Sequence, residues 1–103
     1  MAVHQVFGAL ADPTRQAILE WLSTDGSGTA TEYARRLPIS RQAVSRHLFE
    51  LESAGLVSSS KVGRETRYRL VREALDEAVE WLTQRANLWD DALERLRSQL
   101  EDS

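Results

Sequence analysis

The sequence of 103 residues contains no cysteine. A disulfide framework, a thiolate metal site and a cysteine nucleophile are therefore all excluded. There is also no run of about 18 apolar residues, the length that a membrane-spanning helix requires, so no membrane partner is expected. The first residues lack the basic start, apolar stretch and small-residue cleavage site of a secretion signal, and we expect a cytoplasmic protein.

Histidine is scarce as well, with only His4 and His47 in the chain. Because only His4 could join His47 as a ligand, neither a metal site nor a cofactor is predicted. The sequence has no glycine-rich phosphate loop and no nucleophile motif, and no visible pattern places a histidine beside a carboxylate. An enzymatic function is therefore not expected.

The length and the 42% hydrophobic and 28% charged content are those of one globular domain spanning residues 1–103. The net charge is only -3, but it is unevenly distributed. Residues 29–70 hold eight Lys or Arg against four Asp or Glu, whereas residues 71–103 hold four against nine. A basic middle segment indicates a nucleic-acid partner, although by itself it also fits ordinary solvated surface charge.

The spacing of apolar residues predicts a short first helix over about residues 3–11. Asp12 and Pro13 then start a second helix, because Asp accepts hydrogen bonds from free N–H groups and Pro suits the first helical position. Residues 23–28 have no apolar side chain and contain two glycines, which predicts a loop. A third helix of about two turns follows from Thr29, which forms a capping-box pattern with the glutamate three residues later.

After a proline, Ser40 is predicted to cap the start of a fourth helix, and Gly55 ends that helix. Its inward face carries Val44, Leu48 and Leu51. Residues of about 29–54 therefore form a helix-turn-helix pattern. Residues of about 56–71 then predict a β-hairpin, or wing, whose second strand alternates outward arginines with inward Tyr68 and Leu70. The expected fold class is mainly α with a β-hairpin wing (α+β).

Residues of about 73–100 contain no Gly or Pro and predict one long C-terminal helix. Apolar residues recur there in alternating steps of four and three: Leu75, Val79, Leu82, Ala86, Trp89, Leu93, Leu96 and Leu100. At 1.5 Å per residue the helix would be roughly 40 Å long, more than a small domain can cover. We expect a second copy of the chain to cover the apolar face of its far half, and a helix folded back onto its own core is the alternative.

The outward face of the fourth helix is the candidate reader of double-stranded DNA. Arg pairs with guanine and Gln with adenine in the major groove, while free N–H groups at a helix start bind phosphate. The predicted contacts of the helix, with Arg41 and Arg46 leading, are Ser40, Arg41, Gln42, Ser45, Arg46 and His47. Those of the wing are Lys61, Arg64 and Arg67.

Several residues keep two interpretations. His47 lies toward the edge of the buried face, so packing or a phosphate bond is favoured over base reading. Phe49 is on the outward face and either touches a thymine methyl group or packs beneath neighbouring structure. Arg35 and Arg36 of the third helix either hold the DNA backbone or are simply solvated.

The segments LADPTRQAILEWL and SRQAVSRHLFELESAGLVSSSKVGRETRYRL resemble the ArsR family of winged-helix repressors over about residues 6–71. The resemblance implies a winged helix-turn-helix fold with Ser40–His47 in the major groove and Lys61–Arg67 as the wing. It also implies a homodimer through the first and last helices, with these residues at the interface: Val3, Phe7, Leu82, Trp89, Leu93 and Leu96.

Metal-sensing members of that family carry a Cys-x-Cys pair in the third helix or Asp/His clusters in the last. This chain has TATEYARRL at the first place and no histidine after His47. It is therefore similar to members that respond to another small-molecule or protein effector, or that depend on expression level alone.

The expected function is repression of transcription by a homodimer bound to an inverted-repeat operator. Since a fold does not fix a function, the alternative is a winged-helix protein-interaction or assembly module without specific operator binding. The outward side chains of Gln42, Arg46 and Arg67 favour DNA.

Overall fold

The computed structural model describes residues 3–102, which form five helices and one antiparallel hairpin. In chain order the elements are α1 (Val3–Leu10), α2 (Pro13–Asp25), α3 (Ala30–Ala34), α4 (Arg41–Ser53), β1 (Val57–Val62), β2 (Glu65–Leu70) and α5 (Arg72–Glu101). The predicted fold class is confirmed. The third helix is shorter than the predicted two turns, because the chain already bends ahead of Pro38, where helical backbone is disfavoured.

Side-chain caps start three of the helices, as the sequence predicts. Asp12 accepts a hydrogen bond of 3.0 Å from the Arg15 amide at the start of α2, and Ser40 accepts one of 3.1 Å from Ala43 at the start of α4. The Thr29 hydroxyl caps α3 in the same way. Each cap satisfies one of the amide groups that a helix leaves free at its first turn.

The core lies between the first four helices. Its largest fully buried side chains are Val6, Ile18, Leu22, Tyr33, Val44, Leu48 and Leu51. Burial of each aliphatic member contributes roughly 1.5–3 kcal/mol to the free energy of folding. Helix α4 is therefore fixed by one face, and its opposite face stays in solvent.

Helix α5 touches this core only through its first half. Ala74 and Ala78 are buried, and the half-buried Trp81 packs edge-on against Phe7 with ring centroids 5.3 Å apart. The two small alanine side chains allow α5 to approach α1 closely. From residue 86 to residue 102 every residue is exposed, so the second half of α5 extends beyond its own protomer.

The exposed half of α5 carries the predicted apolar stripe. Trp89 is 72% exposed and Leu93 is 62% exposed, and the molecule is 69 Å long but only 26 Å by 22 Å across. The alternative of a helix folded back onto its own core is wrong for this part of the chain. No helix within residues 3–102 is both long enough and apolar enough to cross a membrane.

The wing pairs β1 with β2 in register from Val57 opposite Leu70 to Val62 opposite Glu65. Gly63 forms the turn with φ +65°, a conformation that glycine adopts without strain. The prediction that Leu70 points inward is wrong, since Leu70 lies at the strand end and is 41% exposed.

The loop before α3 also joins the wing. Gly28 and Tyr68 exchange two backbone hydrogen bonds, 3.1 Å from the Gly28 amide and 2.8 Å from the Tyr68 amide. Strand β2 is thereby attached to the loop that precedes α3. The prediction of a loop over residues 23–28 is wrong for its first half, because α2 continues to Asp25, and it did not include the pairing of Gly28 with Tyr68.

Candidate nucleic-acid interface

The outward face of α4 is arranged as the helical spacing predicts. Eight residues of α4 are exposed, whereas the three inward apolar residues are fully buried. The exposed set is Arg41, Gln42, Ser45, Arg46, Phe49, Glu50, Glu52 and Ser53. Phe49 is 63% exposed, so it does not pack beneath neighbouring structure, and an aromatic ring stands in solvent beside polar side chains.

A cleft of about 470 Å³ separates this helix from the wing. It is lined by the ends of α3 and α4 and by the hairpin turn, and it gathers four basic side chains: Arg35, Arg41, Lys61 and Arg64. Within residues 3–102, none of the four belongs to an ion pair. Four uncompensated cations in one open cleft favour an anionic ligand, and a nucleic-acid backbone is such a ligand.

Arg67 is placed differently from the other predicted wing contacts. Its Nε donates to Ser27 Oγ at 3.2 Å, its Nη1 donates to Glu65 Oε2 at 2.9 Å, and its Nη2 lies 3.2 Å from Glu32 Oε1. The hydrogen bond to Glu65 raises the pKa of Arg67 above its usual value. All three guanidinium nitrogens are therefore engaged within the protein.

Glu32 shows why the capping-box expectation was incomplete. Its backbone amide does bond to the Thr29 hydroxyl, at 3.1 Å. Its carboxylate, however, pairs with Arg67 instead of turning back to the start of α3. The strand-to-helix ion pair replaces the second half of the capping box.

His47 is half-buried and connects α4 to the first two helices. Its Nδ1 lies 3.3 Å from Nη1 of Arg15. The other two guanidinium nitrogens of Arg15 donate to carbonyl oxygens, Nε to Ala9 at 2.8 Å and Nη2 to Gly8 at 3.3 Å. Since an arginine can only donate, Nδ1 is the acceptor in this contact, and a neutral ring making it carries its proton on Nε2. His47 thus packs against the first two helices, which is one of the two roles that the sequence favoured over base reading.

The two arginines at the end of α3 have different surroundings. Arg35 lines the cleft. Arg36 lies over the rings of Trp21 and Tyr33, 5.2 Å and 5.7 Å from their centroids, and pairs with Asp25 at 3.0 Å. Arg36 therefore stabilises the junction of α2 and α3, and Arg35 is the one whose side chain is available in the cleft.

The predicted dimer residues also divide into two groups. Val3 is 3% exposed and belongs to the core of its own protomer, and Phe7 is half-buried against Trp81. The α5 residues Leu82, Trp89, Leu93 and Leu96 are 50–72% exposed. Among residues 3–102, only α5 therefore leaves a wide apolar face uncovered.

Sequence reasoning missed Ser27, Gly28 and Glu32 as neighbours of the wing. They precede their partners in β2 by about 35 to 40 positions, and no periodic pattern or local motif relates residues so far apart. The only signal was the presence of an acidic residue on a helix next to a basic strand, which many unrelated surfaces share.

Comparison with known proteins agrees with this geometry. A family model described as a helix-turn-helix domain matches residues 10–59. The transcriptional repressor SdpR of Bacillus subtilis is 33% identical over 91 residues, which cover 88% of this chain and all of that protein.

Two solved structures extend the similarity to the whole fold. An ArsR-like transcriptional regulator from Rhodococcus sp. RHA1 is 40% identical with a TM-score of 0.82, covering 94% of this chain and 91% of that one. A homodimeric winged helix-turn-helix DNA-binding domain from Mycobacterium bovis is 26% identical with a TM-score of 0.64, covering 91% and 83%. The chain therefore belongs to the ArsR family of winged helix-turn-helix DNA-binding transcriptional regulators.

Proposed function

We propose that the protein is a homodimeric repressor that binds an inverted-repeat operator, with α4 in the major groove and the wing against the backbone. The observation that carries this proposal is the cleft in which Arg35, Arg41, Lys61 and Arg64 surround the start of α4. A protein-assembly module would have no need for four unpaired cations beside an exposed helix face.

Each part of the surface has a distinct role in this proposal. Gln42, Ser45 and Arg46 face outward along α4 and read base edges, because their side chains are exposed and carry the required donors. The cations of the cleft, the start of α4 at Ser40 and the Nε2–H of His47 hold phosphates. Arg67 has another role, which is developed below.

The dimer forms through the exposed stripe of α5. Complete burial of Trp89, which is 72% exposed, would contribute up to about 4 kcal/mol at 25 cal/mol per Å². Two copies related by a twofold axis would each cover the other's stripe and set the distance between the two α4 helices. The homodimeric neighbour from Mycobacterium bovis supports this arrangement.

We also propose that release from DNA does not depend on a bound metal ion, since the chain contains no cysteine and only two histidines. The trigger is then an effector of another kind or a fall in the amount of protein. Thermal unfolding with added Zn²⁺ or Cd²⁺ tests this, because a specific metal that stabilised the protein would contradict it.

The decisive experiment selects bound fragments from genomic DNA and measures their affinity at several salt concentrations. We expect an inverted repeat with half-site centres about 10 base pairs apart or a small multiple of that spacing. If the cleft cations of both protomers all contact phosphates, the slope of log K against log salt is about -7. Affinity that does not change with salt would overturn DNA binding in favour of the assembly module.

Arg46→Ala tests the assignment within α4. If Arg46 reads a base, affinity falls by about 1–3 kcal/mol and preference relaxes at one operator position. Arg95→Ala is the matched control, because Arg95 is exposed on the far half of α5 and its loss changes the net charge equally. Uniform weakening across all sequences would show instead that Arg46 contacts a phosphate.

A further inference from the structure

We infer that Arg67 is a positioning residue, which clamps the wing onto α3 and the preceding loop and so places Lys61 and Arg64 for binding. The inference rests on the proposed DNA-binding function. Arg67 then differs from the other basic side chains of the wing, because Arg67 positions them and does not itself contact a phosphate.

The clamp connects three separate parts of the chain. From β2 the guanidinium reaches Ser27 in the loop before α3, Glu32 within α3, and Glu65 at the start of its own strand. The side chain is only 29% exposed. A planar guanidinium can make several directed contacts at once, which a lysine ammonium on a flexible stem cannot reproduce with the same geometry.

The neighbouring residue strengthens the same junction. Tyr68 exchanges both of its backbone hydrogen bonds with Gly28, directly after Ser27 in the loop. Two consecutive residues of β2 are therefore attached to two consecutive residues of the loop. Together they fix the angle at which the wing leaves the helices.

The clamp also changes the charge of the cleft. Glu32 and Glu65 both line it, beside the four unpaired cations. Unpaired, these carboxylates would repel a phosphate backbone. Arg67 pairs with both, so its loss would release the wing and also leave two negative charges facing the DNA.

A set of substitutions separates a clamp from a direct contact. Arg67→Lys keeps the charge but cannot hold three partners, so we expect it to weaken operator binding by at least about tenfold. Arg67→Gln should weaken it more, because it also leaves Glu32 and Glu65 without a cation. A direct phosphate contact would instead be largely preserved by lysine. Arg69→Gln is the matched control, since Arg69 is exposed on the same strand and belongs to no ion pair within residues 3–102.

The second arm tests whether Arg67 acts through the wing cations. In a Lys61→Ala/Arg64→Ala background, Arg67→Lys should cause no further loss of affinity, because the residues that Arg67 positions are already gone and the positive charge beside Glu32 and Glu65 is kept. In the native background, Arg67→Lys should lower the magnitude of the salt slope by up to about 3.6, which corresponds to two cations in each protomer. An additive loss in the double-variant background, or an unchanged slope in the native background, would overturn the inference.

The third arm needs no DNA. Hydrogen exchange at the Gly28 and Tyr68 amides should be at least about tenfold faster in Arg67→Gln, while exchange in the middle of α2 stays unchanged. Unchanged exchange at both amides would overturn the clamp even if DNA binding is confirmed. If the native protein fails to bind DNA, the proposed function fails, and the exchange rates still decide whether the clamp exists.

Discussion

Replacing Gly28 by alanine tests how tightly the wing is seated on the helices. A Cβ at this position would lie 1.9 Å from Oη of Tyr33 and 2.2 Å from its Cζ. The glycines with positive φ are Gly26, Gly55 and Gly63, so the backbone at Gly28 would accept alanine without strain. The whole cost therefore comes from the contact with one ring.

Neither partner in that contact can move away easily. Tyr33 is fully buried and stacks on Trp21 with ring centroids 5.7 Å apart, while Gly28 is bonded twice to Tyr68. Overpacking in a core usually costs about 1–3 kcal/mol, and a contact this short belongs at or above the upper end of that range. We expect a loss of about 3 kcal/mol, which lowers the unfolding midpoint by roughly 12–24 °C.

Thermal and denaturant unfolding at equal protein concentration measure the effect, since a dimer's midpoint depends on concentration. Gly8→Ala is the matched control, because Gly8 lies within α1 with nothing within 4 Å of its added Cβ. That variant should be more stable by about 0.5–1 kcal/mol. A Gly28→Ala protein as stable as the native one would refute the packing argument. If the variant is destabilised but hydrogen exchange at the Tyr68 amide is unchanged, the wing is not held in place through Gly28.

Three further outcomes follow from the same structure. Tyr33→Phe should leave stability unchanged or slightly higher, because the buried hydroxyl has no hydrogen-bond partner among residues 3–102. A loss above about 1 kcal/mol in denaturant unfolding would reveal such a bond. The backbone amide that Asp12 caps holds the pKa of this carboxyl below its usual value. Its stabilisation is thus complete above the unfolded pKa of about 3.9 and is lost as pH falls through the lower folded pKa. The native protein should therefore be more stable than Asp12→Asn above that range, and the two free energies of unfolding should converge as pH falls through it. Trp89→Glu combined with Leu93→Glu should give monomers with weak DNA binding. Asn87→Glu, on the opposite side of α5, should still sediment as a dimer. An intact dimer of the double variant would contradict the proposal that the apolar stripe of α5 is the dimer interface.

Local chemistry made much of the fold predictable. Asp12, Thr29 and Ser40 each cap a helix because their oxygens accept bonds from amides two or three residues later, within the same few residues of sequence. The inward and outward faces of α4 follow from 3.6 residues per turn, and the hairpin follows from a glycine turn between two strand-like segments. These signals depend only on neighbours along the chain.

The site was less predictable where it depends on distant segments. Arg67 looks like any other basic residue of the wing, and only the packing of β2 against α3 shows that its charge is already paired. Val3 has the pattern of an interface residue, yet it lies in its own core. His47 could have faced a phosphate through either ring nitrogen until Arg15 fixed which one accepts.

The absence of cysteine by itself excluded a cysteine-based metal sensor and a thiolate metal site, because both need a sulfur atom that this chain does not have. Periodicity and caps likewise determined which residues form helices and which face outward. Only the tertiary structure decided which cations stay unpaired in the cleft and which one holds the wing. An ion pair depends on distance in space, and residues 35 positions apart in sequence, such as Glu32 and Arg67, become neighbours only when the chain has folded.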